Sequence, residues 1–134
     1  MPKRTYHPQA TRQAAPTEES ARLPWLLATQ AAESKKAHRL RILDLREISS
    51  FTEYFVLCSG LNMRQIQAVS DEVELVLKRN GRTPLGIEGY ERAEWILLDY
   101  GEFIVHVFSE NAREFYDLDR LWRHAKEVEF PAEN

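Results

Sequence analysis

The sequence predicts an α+β fold, a mixed β-sheet of about five strands with flanking helices packed mainly on one side, in the order αββαβββα. Three observations carry this. "NMRQIQAVSDEVELVLKRNG" has the apolar period of a helix, "YFVLCSG" is a β-rich run ending at Gly60, and "EGYERAEWILLDYGEFIVHVF" alternates on both sides of Gly101 as a hairpin does. The 134 residues, 43% of them hydrophobic, suit one domain with one ordinary core. That domain is expected over residues 23–130, with a flexible extension over 1–22 and a frayed end over 131–134.

The elements follow in order. "LPWLLATQAAESKK" reads as a helix with Pro24 in its first turn and lysines in its last, where the helix dipole favours them. "AHRLRILDL" is the first strand, "REISSFTE" a polar connection and "YFVLCSG" the second strand. The central helix places Ile66, Val69, Val73 and Val76 on one stripe, with Asn62 as N-cap and Gly81 as terminator. "RTPLGIEG" is a short strand ahead of the hairpin. "SENAREFYDLDRLWRHA" is the last helix, capped by Ser109, with Phe115, Leu118 and Trp122 on one stripe. Tyr116 and Trp122 both qualify as core residues of that helix.

A two-residue loop at Gly101 and Glu102 pairs Tyr100 with Phe103, Leu98 with Val105 and Ile96 with Val107, a nearly all-apolar face that reads as core. Any even-length loop gives the same grouping. The other face carries Trp95, Leu97 and Asp99 against Phe108, His106 and Ile104. Two readings of it are open: a partly exposed, adhesive surface, or a face covered by a helix with His106 and Asp99 as a buried pair.

Charge is uneven. The whole chain carries −3, but residues 1–22 carry +2 and residues 85–119 hold nine acids against Arg92 and Arg113, a balance of −7. Such a field repels phosphate backbones and steers a basic partner toward it. The acids are interleaved with Tyr90, Trp95 and Tyr116, residue types that anchor interfaces. A single cysteine, Cys58, excludes an internal disulfide framework and reads as a buried thiol in a reducing compartment. No apolar run approaches the roughly 20 residues of a membrane span, so a cytoplasmic protein is expected. The opening "MPKRTYHPQATRQAA" is basic and acid-free like a transit peptide, yet its prolines and the following "TEES" favour a solvated extension.

Several small constellations invite enzyme readings. "CSG" before a helix lacks the flanking glycines of a nucleophile elbow and the Gly-Lys-Ser/Thr of a P-loop, and reads as a tight strand-to-helix turn. His7, His38, His106 and His124 show no metal spacing. His106 and Asp99 have no evident nucleophile beside them.

Four segments, "ILDLREISSFTEYFVLCSG", "RQIQAVSDEVE", "EGYERAEWILLDYGEFIVHVF" and "REFYDLDRLW", in that order, resemble the ribosomal silencing factor S family, also called Iojap-like. The resemblance runs from about Leu23 through Val128 and departs at Glu53, where the family usually has aspartate. It implies a fold like the nucleotidyltransferases and binding to the large ribosomal subunit through its universal protein number fourteen, which keeps the small subunit from joining. It also leaves room for a homodimer when the protein is free. The rival is a nucleotidyltransferase-like enzyme. Such enzymes resemble one another in a Gly-Ser turn followed by two acids, one residue apart, on the next strand; here Ser59 and Gly60 echo the turn, but "TPLGIEG" offers only Glu88. The expectation is a non-enzymatic translation repressor without cofactor, metal or sequence-specific nucleic-acid binding. Its partner-binding residues are Trp95 as apolar anchor, Asp99 and Glu94 as acceptors for lysine or arginine, His106 as a hydrogen-bonding or weakly charged contact, Glu88 and Tyr90 beside them, and Tyr116 at the margin.

Overall fold

A computed structural model describes residues 23–130; the expected flexible extension and frayed end lie outside the described residues. The elements are α1 (Pro24–Ser34), β1 (His38–Asp44), β2 (Tyr54–Gly60), α2 (Met63–Arg79), β3 (Gly86–Glu88), β4 (Trp95–Asp99), β5 (Phe103–Ser109), α3 (Glu110–Tyr116), α4 (Leu118–Leu121) and β6 (Lys126–Val128). The strands form one sheet in the order β3-β4-β5-β2-β1-β6, in which β2 and β5 are parallel and every other pair antiparallel. Six strands therefore replace the expected five. The extra one, β6, is three residues long, too short for alternation to be read, and is fixed by pairing with Ile42, Leu43 and Asp44.

Local chemistry explains the long elements. Pro24 opens α1 at a position whose N–H has no intrahelical partner in any case. The expected lysines fall just beyond that helix, Lys35 at the C-cap and Lys36 in the left-handed region at φ 68°. Asn62 caps α2, its Oδ1 accepting from the Gln65 N–H at 2.8 Å, and Gly81 ends it at φ 82°.

Helices α1 and α2 cover one face of the sheet. Their Leu26, Leu27, Ile66, Val69, Val73 and Leu77 pack on Ile42, Val56, Cys58, Ile96, Leu98, Phe103, Val105 and Val107. Burial pushes the Cys58 thiol up to about 12, where it is inert.

The other face is covered over β1, β2 and β5 by Ala112 of α3, Leu118 of α4, Trp122 and Ala125, and is left partly open at β4 and β3, where Trp95, Leu97 and Asp99 are half-buried. The expected single C-terminal helix is two. Asp117 takes a left-handed conformation at φ 50°, breaking the helix into seven and four residues, so the stripe Phe115, Leu118, Trp122 does not form. Leu118 is buried, Trp122 half-buried, and Phe115 is 78% exposed.

Candidate functional site

The hairpin has the expected register. Tyr100 donates its N–H to the Phe103 carbonyl at 3.0 Å around a two-residue loop, and Trp95 faces Phe108, Leu97 faces His106 and Asp99 faces Ile104. Ile96, Leu98, Tyr100, Phe103, Val105 and Val107 are all buried beneath the helices, as the alternation requires. On the second face Ile104, His106 and Phe108 are buried, while Trp95, Leu97 and Asp99 are half-buried. Neither opening reading holds whole, because α3 and α4 cover this face only in part.

His106 departs most from expectation. At 3% exposure it cannot present itself to a partner. Its partner is not Asp99: the Trp95 indole Nε1 donates to His106 Nδ1 at 3.0 Å, which places the imidazole proton on Nε2. That Nε2 is buried without a hydrogen-bond partner. Desolvation, helped by the positive Arg113, pushes the imidazole down to about 3. His106 is a neutral support beneath Trp95 and not a charged contact.

Around Trp95 the rings run outward. Its indole lies 4.6 Å from the Tyr116 ring and 5.2 Å from Phe108, and Tyr116 meets Phe115 edge-on at 4.9 Å. Tyr116 is 48% exposed. Glu94 is exposed at the same end of the sheet, where its carboxylate accepts from the Ser109 hydroxyl at 3.0 Å and its carbonyl from the Ser109 N–H at 2.9 Å. Glu88 of β3, also exposed, pairs with Leu97 of β4 and so shares the open face at the sheet's edge.

Asp99 and Tyr90 stand apart from this group. Asp99 lies four residues along β4 from Trp95, roughly 13 Å at the usual rise, and its carboxylate accepts from the Gly101 N–H at 2.8 Å. It closes the hairpin turn. Tyr90 turns toward α2, donating to the Asp71 carboxylate at 3.1 Å, while its carbonyl accepts from Gln67. The sequence reading missed Phe115, whose signal was Asp117 directly after Tyr116, since aspartate tolerates the left-handed conformation and starts helices.

Internal pairs trim the acidic field. Glu110 and Glu114 bind Arg39, with Glu110 also against His38; Asp119 binds Arg113 and Arg41; Glu102 binds Arg82. Glu88 and Glu94 are outside those ion pairs and flank Trp95.

The turn that echoes nucleotidyltransferases is closed. Ser59 is fully buried, its hydroxyl accepting from Arg113 Nη1 at 3.0 Å, and a Cβ on Gly60 would meet Ile66 at 2.8 Å. No group of three or more His, Cys, Asp or Glu among the described residues is placed to hold a metal ion.

A single-sheet α+β module that keeps part of one face uncovered, lined by rings and rimmed by carboxylates, is the class of protein defined here. The model of the family described as "Ribosomal silencing factor during starvation" matches residues 17–134, and the chain belongs to that family. It is 38% identical over 103 residues to "Ribosomal silencing factor RsfS" of Halalkalibacterium halodurans, covering 77% of this chain and 88% of that protein. The Bacillus subtilis protein of the same name is 35% identical, covering 74% and 84%. "Protein Iojap, chloroplastic" of Zea mays is 29% identical, covering 76% of this chain and 44% of its own length. Among solved structures, a Chromobacterium violaceum protein superposes with a TM-score of 0.75 at 30% identity, covering 85% of this chain and 96% of that one. One from Bacillus halodurans gives 0.71 at 34%, covering 85% and 100%. No helix among the described residues is long and apolar enough to cross a membrane.

Proposed function

We propose that the protein represses translation by binding the large ribosomal subunit through its universal protein number fourteen and occupying space that the small subunit needs. The reading is supported above all by one observation: the exposed rings of Tyr116 and Phe115 on α3 extend outward from the half-buried Trp95 at the edge of the part of the sheet that α3 and α4 leave uncovered, with the exposed carboxylates of Glu88 and Glu94 nearby. Ribosomal proteins are generally basic because they face RNA, so carboxylates around an aromatic anchor suit one. The action needs occupancy and no chemistry, and it belongs to the compartment where ribosomes translate, the cytoplasm in a bacterium.

Sedimentation with separated subunits tests this. The protein is expected to travel with the large subunit and to reduce joined ribosomes in proportion to the large subunits occupied, while preformed ribosomes resist. Joining that proceeds undiminished at full occupancy would overturn the blocking mechanism; association with the small subunit alone would overturn the docking.

A further inference from the structure

At the same end of the sheet as Trp95, but on the side of the two long helices, three cations project with no ion pair among the described residues. Lys35 and Lys36 form the turn after α1, and Arg64 lies in the first turn of α2; all three are exposed. Gln65 holds the two pieces together. Its Nε2 donates to the Lys35 and Lys36 carbonyls at 3.1 Å each, and its Oε1 accepts from the Leu61 N–H at 2.7 Å. The chain's other exposed arginine nearby, Arg39, is engaged by Glu110 and Glu114. The first turn of α2 contains no acid, so the positive end of that helix dipole adds to the corner and is not neutralised. Beside the cations Leu61 and Met63 are 73% and 53% exposed.

The register fixes where this corner lies relative to the aromatic rim. Gly60 at the end of β2 pairs with Ser109 at the end of β5, and Trp95 at the start of β4 pairs with Phe108. Trp95 and the turn leaving β2 therefore share one end of the sheet, two strand spacings or about 10 Å apart across it. A body docked by Trp95, Tyr116 and Glu94 brings the basic corner close to whatever surrounds its protein partner.

We infer that Lys35, Lys36 and Arg64 form a second contact, to the phosphate backbone of ribosomal RNA next to the protein bound by the aromatic rim. The inference rests on the docking proposed above. The chemistry is charge complementarity: three cations on one corner clamped by Gln65, with no ion pair among the described residues, match a row of phosphates, read without regard to sequence. It also divides the two charge signs of the molecule between two partners, carboxylates for a basic protein and cations for RNA.

The test compares the full chain with the triple variant Lys35→Gln/Lys36→Gln/Arg64→Gln and the double variant Lys35→Gln/Arg64→Gln, which leaves Lys36 at its left-handed position. Thermal unfolding verifies that each is folded. Binding to isolated large subunits is measured from about 50 to 200 mM KCl, the range over which phosphate contacts lose most affinity. Each lost contact is expected to flatten the plot of log affinity against log salt by about 0.7–0.9, so the parent should lose on the order of 20-fold more affinity than the triple variant over that range. The double variant should fall between them. Protein-free ribosomal RNA is the second probe, and its weak retention by the parent should vanish in the triple variant. Parallel salt plots would overturn the inference while leaving the docking intact. A triple variant weakened on subunits but unchanged on protein-free RNA would overturn it too, assigning the corner to an acidic protein. If the parent binds no large subunits the docking proposal fails, and the RNA arm still decides whether the corner holds phosphate.

Discussion

His106 should make the protein's stability fall with pH well before its carboxylates titrate. Its imidazole is held at about 3 against an ordinary 6.5, because protonation would place a charge in a buried site facing Arg113. In the unfolded chain the same ring takes a proton near 6.5. Between those values the unfolded state therefore binds more protons, so stability rises with pH and is lost on acidification. The full contribution is present above 6.5. Each unit below removes about 1.4 kcal/mol, so roughly 2–3 kcal/mol should be gone near pH 4.5, a large share of the 5–15 kcal/mol typical of a domain. Asp44, Glu110 and Asp119, whose carboxyls are held low by arginine or histidine partners, lose their contribution only at lower pH. Urea unfolding followed by tryptophan fluorescence, at intervals from about pH 7.5 to 4.5, reads the slope directly. His106→Gln keeps an acceptor for the Trp95 N–H and cannot titrate in this range, so its stability should vary less with pH by that amount. Parallel curves for parent and variant would refute the assignment of a neutral, buried imidazole.

Three further outcomes follow from the geometry. Trp95→Phe keeps a ring but removes the donor to His106 Nδ1; leaving that buried acceptor unpaired should lower unfolding stability by about 1–3 kcal/mol, and an unchanged denaturation midpoint would show that the bond contributes nothing. Leu98→Ala, at a fully buried core position, should lower stability by roughly 2–5 kcal/mol, whereas Phe115→Ala, at an exposed position on α3, should stay within about 0.5 kcal/mol and lose affinity for large subunits; the reverse pattern would mean that Leu98 is not in the core and that Phe115 packs inside the fold rather than facing a partner. Glu88→Lys with Glu94→Lys should slow association with large subunits and raise joining while the melting temperature holds. Asp99→Lys is a poorer probe because Asp99 closes the Gly101 turn, and equal association rates for parent and Glu88→Lys/Glu94→Lys would remove charge steering from the account.

What could be read in the sequence tracks the range of the physics involved. The hairpin register was legible because Gly101 marks the turn and each strand alternates over five or more residues. The α2 helix was legible because Asn62, the Ile66–Val69–Val73 stripe and Gly81 agree. Strand β6 was not, since three residues show no period and their place depends on β1 across more than eighty residues of chain. The site was half legible for a related reason. Alternation assigns a face, so Trp95, Leu97 and Asp99 could be grouped, but not whether a neighbour covers it or which polar atom pairs with which. That choice made His106 a support for Trp95 and Asp99 a turn residue, and turned Tyr90 toward Asp71.

The placement of Tyr116 and Phe115 beside Trp95 depends on one buried side chain. Helix α3 has seven residues, too few to be stable alone, and carries both exposed rings at its end. Arg113, in the middle of it and 1% exposed, donates to both carboxylate oxygens of Asp119 at 2.7 and 3.0 Å, to the Ser59 hydroxyl and to the Arg39 carbonyl at the irregular start of β1. One guanidinium thus joins α3 to α4, β2 and β1. Breaking such a pair by removing one partner leaves a buried charge and typically costs about 3–5 kcal/mol, so the bond network resists the loosening that the short helix would otherwise permit. The same contact occupies the hydroxyl of Ser59 in the turn formed with Gly60. Ser59 is thereby part of the brace that holds the aromatic rim in position, and its hydroxyl, fully buried and engaged by Arg113, is closed to a ligand.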